Sequence, residues 1–252
     1  MGEALLGGLL AAGRPPEALA VAEVSPARRE QLAGAYPGVT VAEAPVSAPD
    51  AVIAVKPGDV AAAAAAVADA GGERVLSVAA GVTAEAIERS AGGRLRVVRA
   101  MPNTPALIGA GAAAISAGAD AGEEDMTWAE EVLGAVGVVV RVPEQQLDAV
   151  TGVSGSGPAY VFLVAEALAE AGVLNGLARD VAETLAFQTL AGAARLVAEG
   201  DTSAAELRAA VTSPGGTTAA GLQELERHAV RAAFLDAVTA ATRRSRELGG
   251  AS

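Results

Sequence analysis

The segment with the most suggestive chemistry lies near the end of the chain, where a glycine pair is flanked by hydroxyl side chains. Residues 212–218 read Thr-Ser-Pro-Gly-Gly-Thr-Thr and directly precede a helical pattern. A turn of this composition can point several backbone N–H groups at an anion, and the dipole of the following helix adds to the attraction. A plain helix-capping turn has a similar composition, so the pattern alone leaves both interpretations open.

Three further turns each follow a short apolar run. They read Ala-Val-Lys-Pro at 54–57, Ser-Val-Ala-Ala-Gly at 77–81 and Met-Pro-Asn-Thr-Pro at 101–105. The carboxyl ends of parallel strands form one rim, and sheets of this kind bind ligands there. Small residues at the rim would let a flat ligand lie against the backbone. Lys56, the only lysine of the chain, could either meet a phosphate or sit passively at the end of its strand.

A fourth turn bears on the choice of nucleotide. Residues 23–29 read Glu-Val-Ser-Pro-Ala-Arg-Arg. An acid at a strand end suits the ribose hydroxyls of NAD, whereas Ser25 and Arg28 just beyond it suit the phosphate of NADP. Ser25 followed by Pro26 is also a common helix start, so this segment alone does not decide between the cofactors.

The elements that must position these turns fall into two halves. Short apolar runs at 18–24, 51–55, 74–79, 94–100, 112–116 and 138–142 alternate with helical patterns at 3–13, 26–34, 59–70, 83–91 and 122–135. This alternation predicts buried parallel strands with crossover helices, the doubly wound α/β class. After Pro143 the pattern is helical throughout, at 144–172, 178–199, 203–211, 217–226 and 229–248. We therefore predict a dinucleotide-binding domain at 1–142 and a helical dimerisation and substrate domain at 143–252.

Composition argues against several classes of function. The net charge is −12 and the basic residues are scattered, whereas nucleic-acid binding needs a clustered basic face. The chain has no cysteine and one histidine, so we expect no metal site, no thiolate chemistry and no Ser-His-Asp triad. It lacks both a long uninterrupted apolar run and a signal-peptide pattern, from which we expect a cytoplasmic protein without a membrane partner.

The first residues, Met-Gly-Glu-Ala-Leu-Leu, are typical of the helix that follows the glycine-rich turn of a dinucleotide-binding domain. Gly2 would be the last glycine of that fingerprint, and the sequence contains neither the first strand nor the first two glycines. A sheet without this central strand would leave the neighbouring strand edges unpaired. We expect a translation start placed downstream of that strand rather than a damaged sheet, because the later pattern is intact.

Together the motifs resemble one family, the pyrroline-5-carboxylate reductases, which catalyse the last step of proline synthesis. The resemblance rests on Ala-Met-Pro-Asn-Thr-Pro at 100–105, Ser-Gly-Ser-Gly-Pro-Ala-Tyr at 154–160 and Ser-Pro-Gly-Gly-Thr-Thr at 213–218. These segments occur in the family's order and at similar spacing, and the similarity extends over essentially the whole chain.

The resemblance implies a Rossmann-like N-terminal domain, a helical C-terminal domain that interlocks two subunits, and an active site between the domains at the dimer interface. It also implies a dimer or a decamer built from dimers, with NADPH as cofactor and NADH as the alternative. The residues implied for the cofactor are Gly2, Ser25, Arg28, Ala54, Val55, Lys56, Pro57, Val78, Ala79, Ala80 and Asn103. Those implied for the substrate are Glu144, Ser213, Gly215, Gly216 and Thr217. One departure is that residues 41–48 lack the asparagine that relatives usually carry near the adenosine ribose.

The implied reaction adds a hydride to the imine carbon of 1-pyrroline-5-carboxylate. We expect backbone N–H groups of residues 213–218 to hold its carboxylate, and the hydroxyl of Thr218, the candidate catalytic residue, to hydrogen-bond the ring nitrogen. One alternative is a dehydrogenase for a hydroxy acid or another imine, but residues 144–172 lack the lysine or histidine typical of such enzymes. The other is a dimeric protein of the same fold that has lost catalysis.

Overall fold

The computed structural model describes residues 1–249 and divides them into two compact units. Unit 1 comprises Met1–Ser156 and the described part of Thr239–Ser252, and unit 2 comprises Gly157–Val238. The predicted boundary between residues 142 and 143, where the strand pattern gives way to a helical one, stays a prediction. The last three residues of that predicted second domain lie outside the described part of the chain.

Unit 1 contains two sheets. The strands are β1 Ala20–Ala22, β2 Thr40–Ala42, β3 Asp50–Ile53, β4 Arg74–Ser77, β5 Arg96–Met101, β6 Gly111–Ala117 and β7 Gly137–Arg141. The larger sheet has the order β3-β4-β5-β6-β7, and β1 pairs with β2 in a separate parallel ribbon. Because β1 and β3 each end a sheet, their outer edges have no strand partner among the described residues, as the sequence predicted.

Helices connect and cover these strands. In unit 1 they are α1 Gly2–Ala11, α2 Pro26–Ala35, α3 Val60–Asp69, α4 Ala84–Ser90, α5 Glu123–Gly134 and α6 Leu147–Val150. In the rest of the chain they are α7 Gly157–Leu174, α8 Arg179–Glu199, α9 Ala204–Ala210, α10 Thr217–Arg227 and α11 Val230–Gly249. Residues Thr151–Gly155 form a π-helix, closed by the Ser156 N–H donating to the Thr151 carbonyl at 2.8 Å. The predicted interruption of the helix at the Ser-Gly-Ser-Gly-Pro segment is therefore a π-helix that leads into α7.

Two expectations about the strands were wrong. No strand was predicted at β2, which is three residues long. It also predicted parallel strands throughout, whereas β6 runs antiparallel to β5 with Arg99 opposite Ser116. Residues 102–110, which join β5 to β6, contain only a short 3-10 helix, Thr104–Ile108. A parallel crossover needs a longer connection, usually with an α-helix, so β6 returns antiparallel.

The larger sheet of unit 1 has an apolar cluster on each face. Val97 belongs to the cluster with α3 and α4, and its neighbour Val98 belongs to the cluster with α1 and α5. Successive strand residues point to opposite faces, so one strand supplies both clusters. The large side chains of these clusters fix the strands and therefore the positions of the turns at their carboxyl ends.

Unit 2 is built differently, and all of its residues are described. Its buried hydrophobic residues are Ala169, Ala182 and Ala186. α7 packs so closely on α8 that a Cβ on Gly172 would lie 2.9 Å from the Cβ of Ala182. Many large apolar side chains remain exposed, among them Val161, Phe162, Leu163, Leu168, Leu185, Phe187 and Leu196.

Candidate functional site

The start of α1 lies against the end of β3. A Cβ on Gly2 would lie 3.2 Å from the Cβ of Ala54, so a glycine allows this close approach of helix and strand end. No described side chain caps α1, whose first turn carries Glu3. The first N–H groups of a helix have no partner within the helix, so an uncapped start can donate to an anion.

The ends of β3 and β4 form one rim. The Val78 N–H donates to the Ile53 carbonyl at 3.0 Å, which joins the turn at 77–81 to the turn at 54–57. Ala79 is buried, while Ala54, Val55, Lys56, Pro57 and Ala80 are exposed along this rim. Gly81 follows with a φ of +78°, and a Cβ there would lie 3.4 Å from the backbone nitrogen of Gly249 at the end of α11. Exposed residues of this rim thus offer a surface that a nucleotide could contact.

Asn103 is a structural residue of the next strand end. Its side chain is buried, and its Nδ2 donates to the Ser154 carbonyl at 3.1 Å. Its Oδ1 accepts the N–H of Ala112 at 2.9 Å. Both ends of the amide therefore hold the π-helix and β6 in place, and the predicted contact of Asn103 with the cofactor stays a prediction.

Glu144 also makes internal contacts. Its Oε1 accepts hydrogen bonds from the Ala84 N–H and from Arg99 Nη1, each at 2.8 Å. The first bond gives the start of α4 a carboxylate, which a helix N-terminus favours. Arg99 is mostly buried in β5, and Glu144 is half-buried. The predicted substrate ligand thus joins α4 and β5 within unit 1.

The turn after β1 brings Ser25 and Arg28 together. Ser25 Oγ accepts the Arg28 N–H at 3.4 Å as the cap of α2, and the Ser25 N–H donates to Glu23 Oε1 at 2.8 Å. The guanidinium of Arg28 forms a salt bridge with Glu3. The other oxygen of Glu3 accepts the Tyr36 hydroxyl at 3.3 Å, and burial together with the charge of Glu3 raises the pKa of Tyr36.

The remaining predicted residues lie in unit 2, in the turn before α10. Gly215 has a φ of +68°, and the Gly216 N–H donates to the Ser213 carbonyl at 3.1 Å. A Cβ on Gly216 would lie 2.4 Å from Ser213 Oγ and 3.2 Å from the Ser213 carbonyl oxygen, so a larger residue here would have to move the Ser213 side chain. Thr217 is exposed and Thr218 is half-buried, and both belong to the first turn of α10.

Helix α10 starts without a side-chain cap, in contrast to its neighbour α9. At α9, Ser203 Oγ accepts the Glu206 N–H at 3.3 Å, and Glu206 Oε2 accepts the Ser203 N–H at 3.0 Å. This is a complete capping box. Residues 212–218 were interpreted either as an anion-binding turn or as a plain helix-capping turn. Among the described residues, no hydroxyl caps α10. The start of α10 can therefore donate its N–H groups to an anion.

Sequence reasoning missed the charged partners of the predicted residues. Arg99 is a cation that follows two buried valines in β5, which is the signal that could have indicated a buried carboxylate partner. Glu3 stands in the first turn of α1, where an acid is common for reasons of the helix dipole alone. Its salt bridge with Arg28 joins residues that lie far apart in the sequence and gave no local signal.

Comparison with known families divides the chain in a similar way. Residues 144–248 match the family described as pyrroline-5-carboxylate reductase dimerisation. Residues 1–81 match the family described as NADP oxidoreductase, coenzyme F420-dependent.

Whole-chain comparisons agree. A pyrroline-5-carboxylate reductase of Mycobacterium tuberculosis is 46% identical, with 98% of this chain and 93% of that protein covered. The solved structure of a pyrroline-5-carboxylate reductase from Coxiella burnetii superposes with a TM-score of 0.92 at 38% identity, covering 98% of this chain and 94% of that one. The structure of Plasmodium falciparum pyrroline carboxylate reductase with NADP bound gives a TM-score of 0.84 at 28% identity, covering 99% and 94%.

Proposed function

The chain belongs to the pyrroline-5-carboxylate reductase family, and from this membership we propose how its own residues perform the reaction. It is an oxidoreductase that reduces 1-pyrroline-5-carboxylate to L-proline with NAD(P)H, the last step of proline biosynthesis. The reduced nicotinamide supplies the hydride when it is bound. The protein must bind and orient both reactants and allow the ring nitrogen to keep or gain a proton.

We propose that unit 1 holds the dinucleotide. The uncapped start of α1 at Gly2 offers N–H donors for the phosphates, and the rim residues Ala54, Val55, Lys56, Pro57, Val78, Ala79 and Ala80 offer a narrow surface for the rest. The donors and the small residues fit the group, since glycine at position 2 keeps the helix start close to β3. We propose NADPH as the preferred form, with Ser25 and Arg28 facing its additional phosphate, and NADH as a weaker alternative.

The substrate carboxylate binds, in this proposal, at the start of α10. The main support is that no described side chain caps the N-terminus of α10, which follows Gly215 and Gly216. The preceding helix α9, in contrast, has a complete capping box. An anion there gains both the N–H donors and the helix dipole. Ser213 and Thr217 add hydroxyl donors next to the same turn.

Thr218 is the proposed catalytic residue. Its hydroxyl lies in the first turn of α10, where it would hydrogen-bond the ring nitrogen once the carboxylate is fixed. A threonine hydroxyl is a weak acid, so we assign it positioning of the nitrogen, and the proton comes from water or is already present on the iminium. Orientation then accounts for most of the contribution of the chain. Glu144 is also proposed as a substrate residue, with its carboxylate held by the Ala84 N–H and by Arg99.

We propose a homodimer as the working form, with a decamer built from such dimers as the larger assembly. The family match over residues 144–248 is to a dimerisation domain, and the large apolar side chains of unit 2 remain exposed. Residues Glu144–Leu174 are also long and apolar enough to cross a membrane, with 6% of the most apolar window buried. We propose that a second copy covers them, in a cytoplasmic enzyme without membrane or nucleic-acid partners.

The test is oxidation of NADPH and of NADH by the purified protein with 1-pyrroline-5-carboxylate as acceptor. Gly216→Ala should raise the KM for the acceptor about tenfold or more, because it displaces Ser213 and the backbone donors, while binding of NADPH is unchanged. Gly221→Ala, on the helix that starts at this turn, is the matched control. A Cβ at Gly221 would have no described neighbour within 4 Å. Absence of acceptor-dependent oxidation in the parent protein would contradict the proposed function.

A further inference from the structure

The first turn of α2, which follows β1, presents two arginines, and their contacts distinguish them. Arg29 Nη1 donates to the carbonyls of Glu23 and Val24, at 2.7 and 2.9 Å. Its Nη2 lies 3.5 Å from the carboxylate of Glu43. The guanidinium of Arg29 therefore shapes the turn itself, and Arg28 is the arginine that could exchange its partner.

Arg28 is held by a carboxylate from another element. Its guanidinium forms a salt bridge with Glu3 of α1, and its Nη1 donates to Gln31 at 3.1 Å. The side chains of Arg28 and Glu3 are 40% and 44% exposed. An ion pair this exposed contributes little free energy, so a stronger anion can displace it.

We propose that Glu3 sets the discrimination between NADPH and NADH by competing with the additional phosphate for Arg28. This rests on the proposed cofactor role of Ser25 and Arg28. A phosphate monoester carries more charge than a carboxylate and has three acceptor oxygens, so it replaces Glu3 on the planar guanidinium. Only the nucleotide that carries this phosphate has to break the salt bridge between Glu3 and Arg28 before it can bind the guanidinium. Glu3 is thus a positioning residue that weakens the preference for NADPH.

Glu23 is the other acid at this turn, and its position is fixed differently. Its Oε1 accepts the Ser25 N–H at 2.8 Å, so its charge stays at the strand end whichever nucleotide binds. Glu23 suits the ribose hydroxyls of NADH, whereas Glu3 acts on NADPH through Arg28. The two acids therefore make separable contributions to the discrimination.

The test uses Glu3→Gln, Arg28→Ala and the double variant in the full chain. Titration with adenosine 2′,5′-bisphosphate and with 5′-AMP measures the Kd of each nucleotide in the absence of the reaction. Glu3→Gln should lower the Kd for the bisphosphate about three- to tenfold and leave that for 5′-AMP unchanged, because it frees Arg28. Arg28→Ala should raise the Kd for the bisphosphate about tenfold or more. In the double variant the gain from Glu3→Gln should disappear, because its target is gone.

The kinetic readout is the KM for NADPH, which should fall in Glu3→Gln with little change in kcat or in the KM for NADH. Glu30→Gln, an exposed acid of α2, removes the same charge without touching Arg28 and should leave the KM ratio unchanged. An equal gain in Glu30→Gln, or a gain that survives Arg28→Ala, overturns the inference, as does an unchanged ratio in Glu3→Gln. If the parent protein oxidises neither nucleotide, the proposed function fails, and the nucleotide titrations still decide the role of Glu3.

Discussion

The two candidate binding regions differ in what holds them in place. The strand ends of unit 1 are fixed by side chains with internal partners, such as Asn103 between β6 and the π-helix and Glu144 between α4 and β5. The turn before α10 in unit 2 is exposed and is shaped by its backbone, with Gly215 in a left-handed conformation. Side-chain contacts therefore define the first region, and glycine defines the second.

The two units also differ in the apolar side chains that they bury. Unit 1 has apolar clusters of large side chains on both faces of its larger sheet, whereas unit 2 buries three alanines and exposes its phenylalanines. Burial of large apolar side chains is the main source of folding free energy, so unit 2 gains little from its own contacts. Unit 1 thus buries its large apolar side chains within one chain, and the exposed ones of unit 2 support the proposal that a second copy covers them.

The largest effect should follow from a charge placed on the exposed apolar surface of unit 2. Phe162 is 61% exposed on α7, and we expect Phe162→Asp to raise the dimer Kd about a hundredfold or more and to abolish turnover at low protein concentration. A symmetric interface meets the change twice, which enlarges the effect. Sedimentation velocity measures it. Thr127→Asp adds the same charge at an exposed polar position of α5 in unit 1 as control, and an unchanged dimer in Phe162→Asp would contradict the proposal that a second copy covers this surface.

The next effect concerns the first turn of α10. Thr218→Ala should lower kcat about ten- to a hundredfold, because the ring nitrogen loses a hydrogen bond made during hydride transfer. NADPH binding, measured by titration, should stay as in the parent protein. Thr218→Ser keeps a hydroxyl and should recover most of the rate. A normal kcat in Thr218→Ala would remove this residue from the reaction.

The sequence predicted the elements of both regions well where they are long or strongly patterned. The helices of both units lie close to their predicted ranges, because apolar spacing repeats over several turns in each. β2 was not predicted because its three residues are too few to show alternation, whereas β1, which is equally short, lies inside the longer apolar run at 18–24. The antiparallel β6 escaped because strand direction depends on the length of the connection at 102–110 rather than on the strand sequence.

The site was predictable in its turns but not in its contacts. Glycine and proline mark the turns at 54–57, 77–81 and 213–218, and local backbone requirements explain those residues. The pairs Arg99–Glu144 and Arg28–Glu3 join residues 45 and 25 positions apart. No local pattern specifies such partners, since they depend on how the elements pack. The sequence therefore predicted the turns themselves better than the side-chain contacts that hold them in place.

A smaller effect should test the side-chain contacts of unit 1. Glu144→Gln should lower the free energy of unfolding by about 1–3 kcal/mol, because Arg99 is mostly buried and loses its charged partner. Urea unfolding at fixed protein concentration, followed by the fluorescence of Trp128, measures it. Glu85→Gln breaks an exposed pair with Arg89 and should change the value by less than about 0.5 kcal/mol. A rise in the KM for the acceptor without loss of stability would instead assign Glu144 to substrate binding alone.

The smallest effect separates backbone strain from contact at the rim. Gly81 and Gly93 both have a positive φ, but a Cβ on Gly81 would lie 3.4 Å from Gly249, whereas one on Gly93 meets no other atom within 4 Å. Gly93→Ala should therefore destabilise unit 1 by about 1 kcal/mol from strain, and Gly81→Ala by a few tenths of a kcal/mol more. Gly58→Ala has neither feature and serves as the baseline.

The KM for NADPH should rise in Gly81→Ala and not in Gly93→Ala, because only Gly81 adjoins the turn of Val78, Ala79 and Ala80. Equal losses of stability and an unchanged KM would show that the end of α11 does not support this part of the rim, and the contrast between the two regions would then rest on Asn103 and Glu144.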